Sequence, residues 1–203
     1  MSGQQNQDSA TPRKRLKRED RRNLLIDLAA DILATRGSDA LTLQTLAEAA
    51  GVTKPVTYSQ FGTRMGLLLA LYRRYDQRLF ADLEAGMAHR PPTPRDAANM
   101  FADSYIACIT RHGRVYEATI AALRSYPEHG MIGTEIRTAF CDMLTRLLAP
   151  CFPAGDMPAQ ARMIALFGAV EELARALLDG QISEHAARTE MRRAFEALVT
   201  PEA

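Results

Sequence analysis

The stretch Thr42–Phe61, TLQTLAEAAGVTKPVTYSQF, constrains the fold more than any other part of the chain. Leu43, Leu46, Ala47 and Ala50 recur at i, i+3, i+4 and i+7, so one apolar stripe lies on a short helix that Thr42 opens as its N-cap. Gly51 follows the last apolar position, where a left-handed residue closes a helix and lets Val52 drop into the turn. Thr53 is then the N-cap of a second helix over Lys54 to about Gln60, with Pro55 in the first turn, where an amide is dispensable. Ala47 keeps the inner face of the first helix small where the second must cross it. Two short helices meeting at a tight glycine turn are a helix-turn-helix.

The flanking chain reads as helices throughout. A helix over about Glu19 to Arg36, with Leu24, Leu25, Leu28, Ala29 and Ile32 inward, ends at Gly37; a long helix capped by Thr63 runs to Gly86 or His89. Arg90–Arg95, RPPTPR, marks a loop. Further helices are expected over Asp96–His112 (stopped by Gly113), Val115–Ser125, Thr134–Leu148, Ala159–Leu178 and Ser183–Val199, with a turn-rich break from Pro150 to Pro158. No segment alternates with period two, so the fold class is all-α with about nine helices.

Charge is distributed unevenly. The net charge of +1 hides twelve Lys or Arg against seven Asp or Glu in residues 1–75, and thirteen against seventeen in the remainder. A basic first third on a mildly acidic body is the electrostatic footprint of a modular nucleic-acid binder. Residues 1–18 are expected to be a disordered arm ending in a basic run, RKRLKREDRR (Arg13–Arg22), that contacts phosphates or opens the first helix. With no membrane-length apolar run and no signal-like start, a cytoplasmic protein is expected. Cys108, Cys141 and Cys151 have no Cys-x-x-Cys spacing, and His89, His112, His129 and His185 have no metal-ligand spacing, so no metal and no disulfide framework is expected; the cysteines read as core residues, with a redox sensor as the alternative. A Gly-rich phosphate loop, GxSxG and HExxH are all missing, which argues against an enzyme and leaves the catalytic set empty.

The motifs resemble the tetracycline-repressor (TetR) family of bacterial transcriptional regulators. The residues carrying the resemblance are Gly37, Leu41-Thr42, Leu46-Ala47, Ala50-Gly51-Val52-Thr53 and Tyr58-Ser59-Gln60-Phe61, followed by Met65–Tyr72 as the start of a fourth helix. It covers roughly residues 22–72 and is only architectural beyond. Thr57 stands where Leu or Ile is common, and Ser59 and Gln60 where aromatics or His are frequent; Thr57 is expected to pack inward despite its hydroxyl.

The resemblance implies a three-helix DNA-binding head over residues 19–64 and a helical ligand-binding and dimerisation body over 65–203. Lys54, Pro55, Val56 and Ser59 would face bases, with Gln44 beside them; Thr42, Thr53, Tyr58, Gln60 and Arg64 would face phosphates. Tyr58 has an alternative as a core aromatic. A homodimer is implied, built from Met163, Val170, Ala174 and Leu177 on one helix and Ala187, Met191, Phe195 and Leu198 on the next; alternatively both stripes fill the subunit's own core. No cofactor is implied, but a small-molecule effector is, with Tyr105, Cys108, His112, Tyr116, Phe140, Met143, Phe167 and Glu171 as candidate lining. Glu171 either sits buried, where it would hold a cationic or hydroxylated ligand, or pairs with Arg175 at i+4 on the surface. The function implied is a sequence-specific regulator, a repressor released from its operator by the effector. The alternatives are a helix-turn-helix protein acting through protein contacts and an enzyme with an ancillary helical head.

Overall fold

The structure, a computed structural model, describes residues 18–87, 93–127, 129–149 and 159–199. The basic arm before Arg18, the Pro150–Pro158 break, Cys151, and His89 with most of the RPPTPR loop lie outside the described residues. Eight helices follow one another: α1 (Arg18–Arg36), α2 (Leu43–Ala50), α3 (Lys54–Phe61), α4 (Arg64–Met87), α5 (Pro94–Arg124), α6 (His129–Leu148), α7 (Gln160–Leu178) and α8 (Glu184–Val199). No strand occurs among the described residues. No described helix is long and apolar enough to cross a membrane.

α1 buries Leu25, Ile26, Ala29, Ile32 and Leu33, while Leu24 is 45% exposed. Leu25, Ala29 and Ile32 are buried as expected and Leu28 is half-buried against the core; Leu24 turns outward, and Ile26 and Leu33 join the buried face. α2 is fixed at its start by a reciprocal capping box, in which the Thr42 hydroxyl accepts from the Thr45 amide and the Thr45 hydroxyl accepts from the Thr42 amide, each at 3.0 Å. Its far end closes on Gly51 at φ 62°, a left-handed residue whose amide reaches back to the Glu48 carbonyl while Val52 bonds Ala47.

The nine helices expected become eight because Gly113 does not stop a helix: α5 runs through it without interruption. A Cβ there would sit 2.7 Å from Leu178 Cδ2, so the glycine is a packing notch that receives the end of α7. α5 starts where Thr93 caps it and Pro94 occupies the first turn. α6 begins at His129 rather than Thr134.

One hydrophobic cluster runs through head and body. In the body it centres on phenylalanines: Phe101 lies 5.2 Å from Phe195 and 6.5 Å from Phe140, and Phe140 lies 5.8 Å from Phe80 and 5.2 Å from Phe167, ring centre to ring centre. These rings tie α4, α5, α6, α7 and α8 together. Such tilted and edge contacts add to the stabilisation from area burial alone.

Candidate nucleic-acid interface and the polar cavity behind it

α3 is held against α2 by one buried hydroxyl. Thr57 is fully buried, and its Oγ1 reaches the Leu43 carbonyl of α2 and the Lys54 carbonyl of its own helix, each at 2.9 Å. A threonine where the family prefers Leu or Ile thus replaces part of an apolar contact by a hydrogen bond across the helix pair. Arg22 of α1 secures the other end of α3: its guanidinium donates to the Gln60 carbonyl and lies 4.9 Å from the centre of the Phe61 ring. A cation at a helix C-terminus offsets the exposed carbonyl dipoles. Arg22, counted in the basic run, therefore has a supporting role within the head.

With its inner side fixed, α3 turns Lys54, Pro55, Tyr58 and Ser59 outward, together with Thr53 at its start, and leaves Val56 and Gln60 half-buried. Tyr58 is 52% exposed, which removes the alternative of a core aromatic. Thr53 makes no capping hydrogen bond, so its hydroxyl is available, whereas Ser59 Oγ donates back to the Val56 carbonyl at 2.9 Å. Gln44 is exposed on the neighbouring helix, with its amide on Glu48 at 3.0 Å. Thr42 is half-buried with its hydroxyl used in the capping box.

Arg64 departs from expectation. Its Nε donates to the Leu41 carbonyl at 2.8 Å, Nη2 to the Ser38 carbonyl at 2.7 Å, and Nη1 to the Tyr126 hydroxyl at 3.1 Å. A guanidinium engaged by three protein acceptors is committed inward, so Arg64 is a joint rather than a phosphate contact. It links the loop before α2 to the turn that follows the long helix α5.

The body set also rearranges. Tyr116, Phe167 and Glu171 line a cavity of about 160 Å³ together with Ile120, Leu123, Arg124, Gly133 and Ile136. Glu171 Oε1 accepts from the hydroxyls of Tyr105 and Tyr116, both at 2.8 Å, and Tyr116 also reaches Oε2 at 2.8 Å. Arg175 instead pairs with Glu172 at 2.5 Å, so the i+4 surface pair with Glu171 is not formed. Burial raises the Glu171 carboxyl above the usual carboxylate range; the tyrosine hydroxyls pull it partly back, and Glu117 pushes it up. The rest of the expected lining lies elsewhere. Phe140 is at the centre of the aromatic core, Met143 packs half-buried against it, and Cys108 and His112 border a separate surface depression with Arg78 and Arg111. Burial, then Arg78 and Arg111, lower the His112 pKa. Cys108 and Cys141 are buried thiols whose pKa values desolvation raises, which suits core residues.

Six of the residues expected at a dimer interface are spoken for within the chain. Met163, Val170, Ala174, Ala187, Met191 and Phe195 are each no more than 2% exposed, where they pack α7 and α8 onto the rest of the body. Only Leu177 and Leu198 are half-buried. The outward side of α7 instead carries Ile164, Ala165 and Gly168, and that of α8 carries Ala197. Small and apolar residues occupy both faces of these helices, so spacing alone does not tell inward from outward.

The family model for bacterial regulatory proteins of the tetR family matches residues 25–71, which are α1 to the first turns of α4. Over these residues the chain is similar to the DNA-binding region of the TetR family. Among curated proteins it is 33% identical over 73 residues to the HTH-type transcriptional activator FasR of Mycolicibacterium smegmatis, covering 36% of this chain and 33% of that one. The chain matches only about a third of the length of FasR, and likewise 31% of the regulator AlkX of Mycobacterium tuberculosis. A longer but weaker likeness, 28% identity over 90% of both chains, links it to the HTH-type transcriptional regulator BetI of Brucella anthropi. Among solved structures, a TetR-family regulator from Rhodococcus sp. superposes with a TM-score of 0.69 at 20% identity, covering 89% of this chain and all of that one. The multidrug-binding protein EbrR does so with a TM-score of 0.65 at 20% identity, covering 98% and 100%. These structural likenesses establish a shared TetR-type fold.

Sequence reasoning missed one residue of the helical body. Asp76 of α4 faces the Tyr72 hydroxyl one turn earlier, and its carboxyl is pushed up to about 7, by burial first and by the nearby Glu171 charge as well. The i, i+4 pair Tyr72 and Asp76 was visible in the sequence as one polar position on an otherwise apolar stripe. What carried no signal was that α4 and α7 bring Asp76 and Glu171 together.

Proposed function

We propose that this TetR-family chain is a sequence-specific DNA-binding transcriptional regulator that works as a homodimer and is released from its operator by a small molecule held in the body. The head is residues 19–64 and the body residues 65–203. The observation that carries the reading is the outward face of α3: Lys54, Pro55, Tyr58 and Ser59 stand exposed on a helix whose inner face is pinned by Thr57. Lys54 would donate to a guanine, Pro55 and Val56 would touch thymine methyls, and Thr53, Tyr58 and Gln60 would fix the helix on phosphates.

Dimerisation is assigned to the outward faces of α7 and α8, through Ile164, Gly168, Ala197 and Leu198, in place of the residues the core has absorbed. Coupling would run through the last turn of α5. Leu123 and Arg124 line the cavity, and Tyr126, just beyond them, bonds Arg64 at the start of α4. A ligand that favours another setting of this turn would shift Arg64, and with it the loop that carries α2 and α3. Operator affinity falls to the extent that the ligand discriminates the two settings.

Hydroxyl-radical footprinting on DNA flanking the chain's own gene tests the reading. Two protected half-sites spaced by ~34 to 36 Å, one helical turn or a multiple of it, are expected. A single protected patch, or none on any duplex, would contradict a dimeric DNA reader.

A further inference from the structure

The body holds two carboxylates, Glu171 of α7 and Asp76 of α4, that form no ion pair with Lys, Arg or His among the described residues, and the Glu171 charge reaches Asp76. The nearest basic groups are otherwise placed. Arg175 is paired with Glu172 and acts on Glu171 only through its field, the smallest of the influences on that carboxyl, and Arg124 stands exposed at the cavity rim without bonding Glu171. Glu117 adds a third negative charge in the vicinity.

Around the pair stand Tyr72, Tyr75, Tyr105 and Tyr116, all 8% exposed or less. Tyr75 stacks on Tyr116 with ring centres 4.4 Å apart, and Tyr72 lies 5.7 Å from Tyr116. Among the described residues the Tyr75 hydroxyl has no hydrogen-bonding oxygen or nitrogen partner, and the Cys108 sulfur, a weak acceptor, lies beside it. A buried carboxylate held by two tyrosine hydroxyls and no ion pair, in the wall of a cavity, marks a site with room for a cationic complement. The cavity in front of Glu171 is walled by the apolar Ile120, Leu123, Ile136 and Phe167, with Tyr116 inside it and Arg124 at its exposed rim.

We propose that this cavity binds an organic cation, an ammonium, phosphonium or amidinium group on an apolar body, with Glu171 as the countercharge and the Tyr116 and Phe167 rings beside the positive group. The proposal rests on the reading of the cavity as the effector site and names the class of effector. Aromatic faces attract desolvated cations, and a carboxylate in the wall rejects anions of the same shape. The apolar walls supply affinity from the rest of the ligand.

The test is isothermal titration of the full chain at pH 8 with benzyltrimethylammonium, N-benzylacetamide as an uncharged probe of similar size, and phenylacetate as an anionic one. Each is repeated on Glu171→Gln, which keeps the acceptor for both tyrosine hydroxyls and removes only the charge. The expected result is binding of the cation at least tenfold tighter than the uncharged probe, no binding of phenylacetate, and at least a tenfold loss in Glu171→Gln with N-benzylacetamide unchanged. Equal binding of cation and uncharged probe, preference for phenylacetate, or cation binding untouched by Glu171→Gln overturns the proposal. The operator complex is titrated alongside, so that the two readings fail separately. Cation binding that leaves DNA bound upholds the cation site and overturns its role as effector.

Discussion

Replacing Asp76 by Asn should make the protein more stable at pH 8 and flatten its stability against pH. The carboxyl titrates near 7 in the fold, whereas an unperturbed aspartate titrates near 3.8. Between those values the unfolded chain has released the proton and the folded chain still holds it. The folded state thus binds more protons, and stability falls as pH rises from about 4 to about 7. The loss is complete above 7 and absent below 4. A shift of roughly three units corresponds to at most about 4 kcal/mol; because Asp76 is only half-buried, a gain of about 2 kcal/mol for Asp76→Asn at pH 8 is the working expectation. The amide retains an acceptor for the Tyr72 hydroxyl, so packing is conserved. Urea unfolding of both proteins at pH 5, 6, 7 and 8, at fixed salt and protein concentration, reads the effect. The wild type should lose stability across this range and the variant should lose less, with Glu171 responsible for the remainder. Parallel pH profiles would refute the claim that Asp76 is a strained carboxylate.

Thr57→Val keeps the shape and removes the bond from α3 to the Leu43 carbonyl; unfolding should cost about 1 kcal/mol less, and DNA affinity should fall with it. Gly66→Ala would place a Cβ 2.1 Å from the Phe61 carbonyl oxygen, backbone that cannot step aside, so a loss of about 3 kcal/mol is expected in thermal or urea unfolding. Tyr126→Phe deletes the hydroxyl that Arg64 meets at 3.1 Å; anisotropy titrations should find operator affinity nearly unchanged and its response to a body ligand reduced. Ile164→Arg on the outward face of α7 should give a monomer by sedimentation while leaving the helical content intact.

The head was largely legible because its signals are local. Thr42 and Thr53 as N-caps, Gly51 in the left-handed conformation and Pro55 in the first turn each act within a few residues of themselves, and the structure places all four so. Thr57 too was legible, since its position inside a crossing of two helices demanded burial whatever its polarity. The body was less so. Gly113 reads as a stop, yet it is a notch for Leu178, a residue far along the chain. Met163, Val170, Ala174 and Phe195 form clean stripes, but a stripe says only that a face is buried and not whether a symmetry mate or the chain itself covers it. Arg64 had the same ambiguity: as a basic residue near a DNA-reading helix it fits a phosphate, and only the fold supplies Ser38, Leu41 and Tyr126 as its acceptors. Asp76 on α4 and Glu171 on α7 are near enough for the Glu171 charge to reach Asp76, a juxtaposition no spacing encodes.

The most direct measurement is fluorescence anisotropy of a labelled duplex taken from the DNA flanking the chain's own gene, at two salt concentrations, against a scrambled duplex, for the wild type and for Lys54→Ala with Tyr58→Ala. If the outward face of α3 reads DNA, the wild type binds the flanking duplex selectively, weakens as salt rises, and loses that selectivity in the double variant. Selective binding that survives loss of both side chains would contradict the account, because the recognition surface would then lie elsewhere on the molecule.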